Sequence, residues 1–106
     1  VNSGSPRPLL ACAEQAGREF LTRKSAENVI APSTAYVLYA VGFPFVVRTI
    51  AAMRQGGMSE QTITGWLATE AAAAATTGEA LAQVSAEFYA AVWNGMLEDL
   101  AGYDGR

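Results

Sequence analysis

Residues 29–47 read VIAPSTAYVLYAVGFPFVV, carry no formal charge and end at Arg48. At about 1.5 Å rise per residue, a helix needs roughly 20 mostly apolar residues to cross the bilayer's hydrocarbon core of about 30 Å. This run is just long enough. A chain that holds it must bury it in lipid, enclose it in its own core, or cover it with another protein. Pro32, Ser33 and Thr34 at the entrance, Gly42-Phe43-Pro44 inside and two tyrosines hold its hydropathy near the threshold for a span.

The rest of the chain points the same way. It is 51% hydrophobic and 16% charged over 106 residues, whereas charged residues make up about a quarter of an ordinary globular domain. Part of its surface is therefore expected to be hidden. The length suits one small helical domain, residues 1–106, with one modest core. Charge is divided unevenly: residues 1–58 hold six cations against three acids, a net +3, and residues 59–106 hold one against seven, a net −6. Arg18, Arg23 and Lys24 before the run outnumber Arg48 and Arg54 after it, which favours an N-terminus on the cytoplasmic, matrix or stromal side. The chain begins at Val1, and removal of a targeting segment or a truncation would each explain that; the N-terminus has no signal-peptide pattern of its own. Cys12 stands alone, so no intrachain disulfide forms and the redox compartment is left open.

The pattern predicts an all-α chain of about four helices, one apolar and the others amphipathic. Residues 1–8 read as an extended arm. From 9 to 23, Leu10, Ala13, Gly17, Phe20 and Leu21 recur at helical spacing. Such a helix packs in a bundle or lies in a membrane interface beside the span. Residues 25–28 form a polar break, and Ser33 is a candidate cap for the apolar helix, whose candidate membrane-spanning part covers 29–50. Pro44 lacks an amide hydrogen and opposes the carbonyl of Ala40, so the helix is expected to kink there. Gly56-Gly57 supply a left-handed stop. Residues 59–101 read as an acidic helical pair. Ser59 caps the first helix, the alanines 71–75 leave room for a close neighbour, and Thr76 and Glu79 stand at capping-box spacing before the second. Leu81, Val84, Phe88, Ala91, Val92, Gly95 and Met96 then form one broad stripe, and 102–106 read as a frayed tail. Ala31 and Ala35 have the spacing of a close helix contact.

With no histidine and a single cysteine, these residues exclude zinc sites, histidine haem ligation and Ser-His or Cys-His nucleophile pairs within the chain. Glu98 and Asp99 are adjacent and diverge by about 100° on a helix, which suits a solvated acidic end better than a catalytic pair. No metal or cofactor is expected in the chain alone, with a lipid or pigment contact left open. Residues 50–67, IAAMRQGGMSEQTITGWL, resemble the helix-turn-helix of bacterial regulators in their glycine turn, Ser59 cap and following Ile63. That resemblance implies a recognition helix over 59–68. It carries no Lys or Arg, however, and phosphate neutralisation supplies most nonspecific DNA affinity, so nucleic acid is a poor partner.

The expected contact residues are Tyr36, Tyr39, Phe43, Phe45, Arg48, Trp66, Phe88 and Trp93. The aromatics would anchor or pack, and Arg48 would snorkel at a membrane boundary. These features together suggest a noncatalytic accessory subunit of a large membrane complex, respiratory or photosynthetic in type. It would hold neighbouring subunits by an integral single span and possess no enzymatic activity, and an organellar site would suit it. The rivals are a soluble, cytoplasmic helical interaction module with 29–47 as its central core helix, and a helix-turn-helix DNA-binding domain at 50–67.

Overall fold

The computed structural model describes residues 10–104, which fold into four helices with no strand among them. We number them α1 (Ala11–Ala26), α2 (Pro32–Gln55), α3 (Glu60–Ala75) and α4 (Ala80–Asp104). The extended arm expected over 1–8 lies outside the described residues. Helix α1 extends two residues into the expected polar break, to Ala26, with Arg23 and Lys24 in its last turn, where the helix dipole favours cations. It stops at Asn28, whose φ of 62° is left-handed. The Val29 N–H then bonds the Lys24 carbonyl at 2.9 Å and the Asn28 N–H bonds that of Ser25 at 3.0 Å, a Schellman closure.

Helix α2 starts at Pro32, with Ala31 as its cap. Ser33 therefore sits inside the first turn and caps nothing, because proline at the first helical position is already set to the required φ. Pro44 is absorbed without ending the helix. Just before it, Leu38–Gly42 form a π-helical turn in which the Phe43 N–H reaches back to the carbonyls of Leu38 and Tyr39. A wider turn relieves the clash between a proline ring and the carbonyl four residues earlier. The helix ends as its glycines predict: Gly57 has φ of 97°, and Met58 and Gly57 donate to Met53 and Arg54. Ser59 then accepts from the Thr62 N–H at 3.1 Å and caps α3.

The turn between α3 and α4 departs from the expected capping box. Thr76 and Thr77 donate back to the carbonyls of Ala73 and Ala74, so they close α3, and the Glu79 N–H bonds the Thr77 hydroxyl. Gly78 makes the left-handed turn at φ 75°. Helix α4 continues through Gly102 to Asp104, where a frayed tail was expected.

Helix α4 is the hub of the fold. Its Val84, Phe88, Val92, Trp93 and Met96 meet Ala13, Phe20 and Leu21 of α1, Val46 and Ile50 of α2, and Ile63 and Leu67 of α3 in one core. Each such buried side chain contributes about 1.5–3 kcal/mol relative to an exposed one. Glycines set how closely the helices approach. A Cβ at Gly95 would stand 2.5 Å from the Cys12 carbonyl oxygen and 2.6 Å from the Ala13 Cα, and one at Gly17 would press on Phe88 and Val92. These are the close contacts of the fold. Ala31 is exposed and Ala35 half-buried.

Candidate interaction surface

The helix with the longest apolar run is not the central helix. Only Val46 and Ile50 of α2 are fully buried, both towards its C-terminal end, and Ile30 is buried in the turn before it. The expectation that 29–47 would form the core of a soluble bundle is therefore corrected: α4 takes that place. The reason lies in the pattern. Helix α2 carries apolar residues all round, so one face packs on the body while the other is left outside.

That outer face is a ridge. Tyr36 is 70% exposed, Val37 54%, Val41 66% and Phe45 48%, with Ala40 and Pro44 exposed between them. Arg48, also exposed, is the first charged residue on the helix. The ridge has no acid or lysine to hold a hydration shell, and exposed apolar patches mark protein or membrane contact sites. Helix α2 is also long and apolar enough to cross a membrane.

The inner face of α2 is less apolar than its composition suggests. The Tyr39 hydroxyl donates to the Glu14 carboxylate on α1, and the Arg18 guanidinium lies 5.7 Å from the Tyr39 ring centre. Arg18 and Glu14 form a 3.8 Å ion pair, and the Tyr39 ring stacks at 6.2 Å on Phe43. The hydrogen bond to Glu14 raises the phenol's pKa above its ordinary value, burial adds to the rise, and the nearby Arg18 charge opposes it. An ionic group thus stands beside α2 roughly 7 Å from its midpoint, judged from about 1.5 Å per residue. Ions at that depth of a bilayer are costly. Arg18 and Tyr39 also border a cleft of about 490 Å³ between α1 and α2.

A second apolar feature adjoins the ridge. Between α3 and α4 runs a groove of about 310 Å³ whose walls include Trp66, Ala73, Ala74, Ala86 and Tyr89, with Glu70 its one charged lining residue. The Phe45 ring of the ridge lies 6.2 Å from the Tyr89 ring of the groove. Ridge and groove therefore share an edge. The alanines at the end of α3, expected to admit a neighbouring helix, wall this groove and leave Ala72, Ala73 and Ala75 exposed.

The eight expected contact residues separate into three groups. Tyr36, Phe45, Arg48 and Trp66 (39% exposed) reach the surface, and Tyr39 and Phe43 are half-buried on the inner side of α2. Phe88 and Trp93, at 0% and 1% exposure, are core residues and offer nothing to a partner of the folded chain. The Trp93 indole is satisfied internally by a 2.8 Å bond to the Thr64 hydroxyl, which ties α4 to α3. Sequence reasoning passed over Val37 and Val41, although their recurrence with Tyr36 and Phe45 at helical spacing is the signal of a second apolar face.

Asp99 is a further correction. It is 5% exposed, and its two carboxylate oxygens accept the Cys12 and Ala13 N–H groups at 2.9 and 3.0 Å. Leu10, the cap of α1, makes no side-chain hydrogen bond. A carboxylate on α4 therefore caps α1 from across the core, where the positive end of the dipole favours it. Glu98 alone is the exposed acid of the pair.

Around the predicted helix-turn-helix, Ile50, Ile63 and Leu67 pack inward. The outer residues of the first turns of α3 are Glu60, Gln61, Thr62 and Thr64. Comparison with protein-family models, curated proteins and solved structures finds no match.

Proposed function

We propose that this protein is a noncatalytic helical assembly subunit, whose function is to pack the outer face of α2 against another protein. The observation that carries this reading is the two-sidedness of α2. Val46 and Ile50 anchor it to a core complete without its outer face, while Tyr36, Val37, Val41 and Phe45 stand in solvent. Burying that ridge recovers about 25 cal/mol for each Å² of apolar surface removed from water. Arg48 closes the ridge with a group able to pair at an interface rim.

A second reading rests on the length of α2: the subunit belongs to a membrane complex and α2 is its single span. The packing of α1 speaks for the first reading, because Glu14 and Arg18 flank Tyr39 and α1 would have to part from α2 before the helix could enter lipid. DNA binding has no cation on α3 to draw phosphate.

Photo-crosslinking in cells tests the choice. A photoreactive residue at Val41 is expected to give a discrete protein adduct, and one at Thr22 on the exposed side of α1 none. Adducts to lipid alone, in a chain that resists carbonate extraction, would contradict the protein-docking reading and support the span.

A further inference from the structure

We infer that the partner is a second copy of this chain, and that two copies pair about a two-fold axis with the α2 ridge of each seated in the α3–α4 groove of the other. The inference rests on the assembly reading above and names its partner.

Three observations converge on it. The first is shape. An isologous dimer needs one surface that is its own complement, and here a convex ridge and a concave groove lie side by side, joined where Phe45 meets Tyr89 at 6.2 Å. An axis passing near that pair carries each ridge onto the opposite groove.

The second is the lining of the groove. Ala73, Ala74, Ala82 and Ala86 line part of the groove, so a helix bearing valine and phenylalanine can approach closely there.

The third is charge. Arg48 is the first ion on α2 and Glu70 is the one ion lining the groove, and both are exposed in the single chain. Arg48 stands three residues beyond Phe45, and Glu70 four beyond Trp66, so each ion lies about one helical turn past its aromatic neighbour. Seating ridge in groove brings Arg48 of one copy to Glu70 of the other, twice in the dimer. A planar guanidinium suits bidentate pairing with a carboxylate.

Sedimentation equilibrium of the purified full chain, without detergent, tests the pairing. The wild type is expected to sediment as a dimer. Arg48→Glu and Glu70→Arg should each weaken association at least tenfold while circular dichroism stays helical, since both positions are exposed, and the double charge exchange should restore most of it. A monomer across the whole concentration range overturns the inference, as does a dimer indifferent to both single variants. The Val41 crosslink separates this failure from failure of the assembly reading. An adduct to a different protein, together with a monomeric purified chain, removes the homodimer and leaves the docking face standing. Adducts to lipid alone remove both.

Discussion

Asp99 shows how one side chain can position an entire helix. Its carboxylate takes two N–H groups that α1 would otherwise leave unsatisfied in a buried setting, and Gly95, one turn earlier on α4, removes the Cβ that would hold the helices apart. Asp99→Ala is expected to cost about 2–3 kcal/mol, because it deletes charge-assisted bonds and strands their donors. Urea unfolding at neutral pH, followed by circular dichroism, checks the figure. Tyr39 makes a different prediction. Its raised pKa means that the folded state favours the neutral phenol. The stability it contributes is full below the unfolded tyrosine's value of about 10 and is lost as pH climbs through the higher folded value. In Glu14→Gln, which lacks the ionised acceptor, NMR titration of the Tyr39 ring should give a lower pKa than in the wild type.

Much of the element scale is readable from residue types, since stops and starts are local chemistry. Gly57 ends α2 and Ser59 begins α3 as their types require. Gly57→Ala, at φ of 97°, should therefore cost about 1 kcal/mol in the same urea assay. The existence of one long apolar helix was legible too. What sequence could not place was the partner of each polar group. Asp99 looked solvated because its acceptor role depends on α1, 86 residues away in sequence. Thr76 is no capping-box residue because its hydroxyl donates back to the Ala73 carbonyl, as that of Thr77 does to Ala74. Pro44 lies within a helix that continues past it, with a π turn just ahead, and that turn was not readable from residue types. The surface and core roles of Tyr36, Phe45, Phe88 and Trp93 could not be separated by composition, since all four are aromatic residues on apolar stripes.

Across the whole molecule, one asymmetry governs the packing. Helix α4 is surrounded and α2 is not, although α2 holds the longest apolar run. A core built on α4 leaves the other half of α2 exposed, the face proposed above to dock on another protein. Paired lysine substitutions on α2 test this most directly. Val46 is 1% exposed, and a lysine there buries an unpaired charge in the core. Val41 is 66% exposed, where substitutions usually change stability by no more than about 0.5 kcal/mol. Thermal unfolding of the purified chains, followed by circular dichroism beside sedimentation, should show Val46→Lys unfolded and Val41→Lys folded but unable to associate. If Val41→Lys unfolds as Val46→Lys does, or folds and associates like the wild type, the outer face of α2 is not the working surface of this protein.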